Sequence, residues 1–336
     1  LATPAKQGKD EVALRPPALS YPAVLLARQA MATRFELLLP GRVTASRRAI
    51  AEEALDEIER VEQWLSLYRP DSEIAAVNAR ASYEPVKVSA PVFALLKHAM
   101  RLYQETGGAF DIAIGSLIKC WGFGGGHGAL PSRNALASAR RSAGFNHVLL
   151  NEKEQTIFYQ RPGVQIDMGA IGKGFAIERA VARLHEAGIA TALLHGGTSS
   201  VVALGHPPDA VAWNIAIENP KSRSPGGTPL AVIGLRDESL SVSAVWGKSF
   251  MHHGKIYGHV IDPRTGCPVA HSLLAAVVLP DATEADAFST AMLVGGATEF
   301  DNLNKLRPGM KSLLAWRNRN GSIRIKSHGI PLVEDA

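Results

Sequence analysis

The sequence predicts an α+β fold, with mixed or antiparallel sheets flanked by helices. Short strand-sized apolar blocks and stretches of helical periodicity are interspersed along the chain. Several consecutive strand blocks have no helix between them, which a doubly wound parallel sheet would require. With 336 residues, 46% of them hydrophobic and 20% charged, the chain can bury a substantial core.

Residues 1–29 carry Pro4, Pro16, Pro17 and Pro22 among mixed charges and are expected as an extended N-terminal arm. Residues 30–336 then form a single domain, because no linker-like stretch and no internal repeat divides them. Thr33 to Leu39 reads as a strand. Ala51, Ala54, Ile58, Val61 and Leu65 recur at helical spacing, predicting a helix that ends near Ser66. A second helix is expected from about Ala90 to Glu105, with Val92, Leu95, Leu96, Ala99 and Leu102 on one face and Gly107 to end it. Gly122 to Gly128 is too glycine-rich for regular structure and reads as a flexible loop. A hairpin is expected between His147 and Tyr159. Val164 to Ile166 then leads through a glycine-rich turn into a helix carrying Ile177, Ala180, Val181 and Leu184 on one face, stopped by Gly188. Further strands are expected near Leu193, at Trp213 to Ile217, Leu230 to Leu235 and Leu274 to Leu279, with a loop over Pro220 to Pro229.

Composition narrows the function classes. Lys and Arg (36) exceed Asp and Glu (31) by only five, and the basic residues are scattered, so nucleic acid is not expected as a partner. No apolar run approaches the roughly 20 residues that cross a bilayer. Cys120 and Cys267, far apart in sequence, make neither a disulfide framework nor a four-ligand zinc site unaided.

Three constellations could carry chemistry, and each has a plainer alternative. In Ile166-Asp-Met-Gly-Ala-Ile-Gly-Lys-Gly174, a strand end meets a helix start, where glycines let backbone amides approach an anion and Lys173 adds a point charge. A tight connection alone would look the same, and the spacing is not that of a Walker motif. Asp286 and Thr290, four apart, would share one helix face and offer oxygen ligands to a hard cation such as Mg²⁺. Thr283 and Asp286 are equally spaced as a capping box. In Gly258-His-Val-Ile-Asp-Pro-Arg-Thr-Gly266, His259 could be a general base, or the segment could be ordinary hairpin chemistry. A zinc reading of His252, His253 and His259 fails because an adjacent pair does not align on one helix face.

Taken in order, Met31-Ala-Thr33, Leu65-Ser-Leu-Tyr68 with Pro70-Asp-Ser72 and Asn78, Gly108-Ala-Phe-Asp111, the Asp167 to Gly174 turn, His259 to Gly266 and Asp286 to Thr290 form one pattern. It resembles the FAD:protein FMN transferase family, also called ApbE, from about Met31 to the low 300s. The resemblance implies Mg²⁺-dependent transfer of the FMN portion of FAD to a Thr or Ser hydroxyl of a target flavoprotein, with release of AMP. By the same resemblance Met31, Tyr68, Ala109, Phe110, Asp111, Asp167, Lys173 and Val260 would line the FAD site. The metal would contact Asp286, Thr290 and the backbone carbonyl of Ala170, and His259 or a nearby carboxylate would accept the hydroxyl proton. Family relatives often work as lipoproteins outside the cytoplasm, which points to the periplasm, although no signal or lipobox is visible in the sequence. The chain departs from the family pattern at Gly196-Gly-Thr198, Val242-Ser243-Ala244 and Glu178. Those departures leave a Mg²⁺-dependent FAD pyrophosphatase and a noncatalytic FAD-binding protein as alternatives.

Overall fold

A computed structural model describes residues 20–125, 128–222, 227–318 and 320–333. Its centre is an eight-stranded sheet in which every neighbouring pair is antiparallel. In spatial order the strands are Ala23–Ala30, Thr33–Pro40, Ala192–Gly196, Ser200–Leu204, Glu238–Ala244, Ser272–Leu279, Lys311–Arg317 and Ile323–His328. Strand alternation sorts the side chains onto two faces. Phe35, Leu37 and Leu39 enter the main core under the helices Ala45–Leu65, Gly172–Glu186 and Ala282–Lys305, whereas Leu38 enters a second core beneath the Trp213–Ile217 and Ala231–Leu235 hairpin. Both faces of Ser272–Leu279 are therefore covered. Its unbroken apolar run divides cleanly, with Ala275, Val277 and Leu279 on the helix side and Leu274, Ala276 and Val278 on the other.

The folded part reaches further toward the N-terminus than the expected arm allows, because Ala23–Ala30 is the edge strand of this sheet. It joins Thr33–Pro40 through a two-residue turn in which Met31 and Ala32 both have positive φ, 51° and 59°. Such turns usually advertise themselves by Asn or Gly. Here Met31 N–H donates to Glu62 Oε1 at 2.7 Å, and that tertiary bond helps hold the conformation.

The long helices follow their apolar periodicity. Ala45–Leu65 is capped by Thr44 and ends at Ser66, Ala90–Glu105 occupies the expected span before Gly107 at φ 58°, and Gly172–Glu186 stops before Gly188 at φ 71°. Three shorter helices were not expected: Glu73–Arg80, Gly115–Cys120 and Arg133–Ser142. The last two carry a small third core of Leu117, Trp121, Phe123, Ala139 and Ile261, against which Phe250 and Tyr257 of the Ser249–His252 and Lys255–Gly258 hairpin pack. The expected hairpin between His147 and Tyr159 forms as Val148–Asn151 with Thr156–Tyr159, joined by Val86–Lys87. The loops expected at 122–128 and 220–229 lie partly outside the described residues. No described helix is long and apolar enough to cross a membrane.

Candidate functional site

The glycine turn is held from behind by one side chain. Asn78, on the short helix that Ser72 caps, accepts from Ile166 N–H and donates to Ile166 C=O, both at 2.8 Å, as a neighbouring strand would. Tyr159 O–H completes the clamp by donating to Asn78 Oδ1 at 2.8 Å. Asp167 N–H donates to Ile112 C=O at 2.7 Å, and its carboxylate accepts from Gly169 N–H at 2.8 Å, so the chain bends sharply before the helix begins at Gly172. Burial raises the Asp167 carboxyl above its usual range, opposed by the Gly169 bond and by the charge of Lys248.

The helices Gly172–Glu186 and Ala282–Lys305 meet where only glycine fits. A Cβ on Gly174 would sit 2.2 Å from Ala282 C=O and 2.8 Å from Asp286 Cβ. This approach lets Gly174 N–H donate to Asp286 Oδ2 at 3.0 Å. The capping-box reading of Asp286 is thereby corrected. The N-cap of its helix is Asp281, which accepts from Glu284 N–H at 2.9 Å, while Glu178 reaches across from the neighbouring helix to accept from Ala282 N–H at 2.7 Å. Asp286 lies a turn further in and is spent on the adjacent helix instead.

Around Asp286 the structure adds hydroxyls that sequence reasoning did not single out as site residues. Ser241 O–H donates to Asp286 Oδ1 at 3.2 Å, and Ser289 O–H donates to Asp286 C=O at 2.9 Å. Ser243 touches both Ser289, at 2.8 Å, and Thr290, at 3.2 Å. Ser241 and Ser243 stand on the same face of Glu238–Ala244, which the 2-residue period of a strand dictates. The alternating serines at 239, 241 and 243 are the only local trace of this arrangement in the sequence, and serine alternation is a weak signal without a partner helix.

The other expected site residues divide into those at the turn and those turned inward. Met31 lies over the start of the Gly172 helix, its Cε 3.2 Å from where a Cβ on Gly172 would be. Its neighbour Thr33 crosses Gly197, whose positive φ of 61° and 2.4 Å clearance to Thr33 Oγ1 admit no side chain. Tyr68 projects into solvent, 67% exposed. Ala109 and Phe110 are buried in the main core, so ring stacking by Phe110 on a ligand is not what this conformation offers. Asp111, 4% exposed, accepts from Ala113 N–H at 2.7 Å and Phe145 N–H at 3.1 Å, and burial pushes its carboxyl up to about 6. The backbone here is spent as well: Ala109 N–H donates to Thr106 C=O and Phe110 N–H to Thr106 Oγ1, both at 3.1 Å. Val260 is half-buried against the main core, and its C=O accepts from Val269 N–H at 2.9 Å. Ala170 is also half-buried, within the turn between Asp167 and Gly172.

His259 follows the Lys255–Gly258 strand, and its Nδ1 lies 3.1 Å from Lys248 C=O. A carbonyl can only accept, so Nδ1 carries the proton and Nε2 presents a lone pair. Burial lowers the pKa of the ring; the Lys248 carbonyl bond opposes this, and the positive charges of Lys248 and Lys173 reinforce it. Lys173 is thus electrostatically coupled to His259 although 86 positions separate them in the chain.

Asp286 and Thr290, one helical turn apart, carry oxygen atoms only, the donor type of a hard cation. Among the described residues no three His, Cys, Asp or Glu side chains converge where they could hold a metal ion. One carboxylate with few further protein oxygens suits a cation that keeps waters and takes ligands from a substrate phosphate.

Comparison with known proteins covers most of the chain. The ApbE family model matches residues 31–314. The FAD:protein FMN transferase of Treponema pallidum (strain Nichols) is 32% identical over 293 residues, covering 83% of this chain and 80% of the relative, and that of Escherichia coli (strain K12) is 28% identical over 278 residues, covering 81% and 78%. Among solved structures, the ApbE protein of Thermotoga maritima superposes with a TM-score of 0.81 at 26% identity, covering 90% of this chain and 96% of its own. The flavin transferase ApbE of Vibrio cholerae gives 0.80 at 25% identity, covering 92% and 98%. The mixed helix and antiparallel-sheet architecture is therefore shared, and the chain belongs to the ApbE family.

Proposed function

We propose that this chain is an FAD:protein FMN transferase that moves the FMN portion of FAD onto a Thr or Ser hydroxyl of an acceptor flavoprotein and releases AMP. The observation that carries this reading is the bond from Gly174 N–H to Asp286, which joins the acid and hydroxyl pair to the glycine turn and Lys173. The cation at the carboxylate and the charge of Lys173 would then face one diphosphate, while the N–H groups of Gly169, Gly172 and Gly174 hold the turn and the helix contact together. Met31, Tyr68, Ala109, Phe110, Asp111, Asp167, Lys173 and Val260 are assigned to FAD, of which Ala109, Phe110 and Asp111 are buried in the conformation described. Asp286, Thr290 and the Ala170 carbonyl would hold Mg²⁺, which when bound offsets diphosphate charge and charge developing on phosphorus.

The chain's own residues do the rest. The glycine turn and Lys173 position the diphosphate, and positioning with charge supplies most of the rate in phosphoryl transfer. The acceptor oxygen forms a bond to the FMN-side phosphorus as the bond from that phosphorus to the bridging oxygen breaks. The bridging oxygen leaves on AMP, and the hydroxyl proton passes to His259 Nε2, which the hydrogen bond to Lys248 C=O keeps free to accept it.

The test is incubation of the protein with FAD, Mg²⁺ and a panel of acceptor flavoproteins. A flavin-fluorescent acceptor band that survives denaturing electrophoresis, with AMP in equal amount, is expected. AMP without any labelled band would indicate a pyrophosphatase, and bound FAD without AMP a noncatalytic binder.

A further inference from the structure

The hydroxyl cluster beside Asp286 has a direction, because each hydroxyl owns one proton. Ser289 is fully buried and spends its proton on Asp286 C=O at 2.9 Å. The 2.8 Å contact between Ser243 and Ser289 must then use the proton of Ser243. With that proton spent, the 3.2 Å contact between Ser243 and Thr290 must use the proton of Thr290. The order Thr290 to Ser243 to Ser289 to Asp286 C=O follows. The direct contact of Thr290 with the same carbonyl is longer, 3.4 Å, so Ser243 at 3.2 Å is the nearer acceptor for the Thr290 proton. Ser241 lies beside this relay: its hydroxyl is 3.2 Å from both Asp286 Oδ1 and Ser289 Oγ, and with the Ser289 proton already spent its one proton is shared between those two acceptors.

A hydroxyl that ligates a cation must present a lone pair and send its proton elsewhere, and groups that accept such protons set the orientation of metal ligands. We infer that Ser243, backed by Ser289, is a positioning residue that takes the proton of Thr290 and turns the Thr290 lone pairs toward the Mg²⁺ position. This inference rests on the proposed function.

Titration calorimetry of the FAD-saturated full chain with Mg²⁺, and Mn²⁺ resonance spectra as a second readout, test it. Ser243→Ala should weaken Mg²⁺ by about 10- to 100-fold, with FAD affinity in the absence of metal unchanged, and Ser243→Thr, which restores a hydroxyl, should recover most of the loss. Ser289→Ala, which removes the next link and frees the Ser243 proton to turn on Thr290, should also weaken Mg²⁺ and serves if Ser243→Ala does not fold. Mg²⁺ binding within threefold of the parent in either alanine variant, while Asp286→Ala has lost it, overturns the relay and leaves the proposed function standing. Ser243→Thr as weak as Ser243→Ala also overturns it, since shape and not the hydroxyl would then matter. Equal Mg²⁺ binding by the parent and Asp286→Ala sinks the metal assignment and the relay together.

Discussion

Asp286→Asn separates the charge of this side chain from its shape. Asp286 is 3% exposed and accepts two hydrogen bonds, from Gly174 N–H at 3.0 Å and Ser241 O–H at 3.2 Å. An asparagine can keep its oxygen on Gly174 and offer its amide to Ser241, whose hydroxyl can turn to accept. Both contacts persist as neutral ones, each weaker by about 1 kcal/mol than a hydrogen bond to a charged group. Relief from burying a charge works in the opposite sense, so a net cost of at most about 2 kcal/mol is expected, a shift of a few degrees in melting temperature. Loss of the one carboxylate proposed to hold the cation should be far more damaging to turnover, at least about a hundredfold, or about 2.7 kcal/mol in the barrier. The assay follows covalent flavin on an acceptor by in-gel fluorescence across a Mg²⁺ titration, beside thermal unfolding. Transfer within threefold of the parent at the same Mg²⁺ requirement would refute the assigned role, and a large fall in melting temperature with intact chemistry would make Asp286 a helix fastener only.

The neighbouring acid should behave oppositely: Asp281→Ala removes the true N-cap and should cost about 1 kcal/mol in denaturant unfolding, with flavin transfer retained. Asn78→Ala deletes the clamp on Ile166 and leaves buried backbone groups unpaired, so about 2 to 4 kcal/mol of stability should be lost, together with FAD affinity as the turn loosens; equilibrium unfolding and a fluorescence titration check both. For pH, the proposed role requires the neutral imidazole of His259, and burial lowers its pKa, so transfer should rise with pH with its midpoint below the ordinary histidine value of about 6.5. His259→Gln should remove that acidic limb from the rate profile, and an unchanged limb would move the proton acceptor elsewhere. Asp111 gives a stability signature of its own. Its folded pKa of about 6 lies above its ordinary value of 3.8, so the folded state binds this proton more tightly and the contribution of Asp111 to stability should fall as pH rises between those values, a slope that Asp111→Asn would abolish in unfolding curves.

Much of the fold and part of the site are legible locally. The Ala90–Glu105 and Gly172–Glu186 helices announce themselves by apolar spacing and terminal glycines, and Ser272–Leu279 by an apolar run of strand length. The glycine turn with Lys173, and an acid and a hydroxyl one helical turn apart, can likewise be read from residue type and spacing. The short Glu73–Arg80 helix and the Met31-Ala32 turn could not, because each is held by partners distant in the chain and carries no strong local preference of its own.

Sequence by itself thus determined which groups could bind an anion and a cation, since backbone freedom at glycine and the chemistry of carboxylate and hydroxyl are properties of the residues. Only the tertiary structure decided where they were spent. Asp281 took the helix cap, which released Asp286 for an amide 112 positions away; Phe110 went to the core; and Ser241 and Ser243, from one strand, arrived at Asp286 and Thr290 respectively. The physical reason is that a side chain's spacing along its own helix sets which neighbours it can reach locally, whereas the packing of one helix on another, close enough here to admit only Gly174, sets which of its possible hydrogen bonds is made.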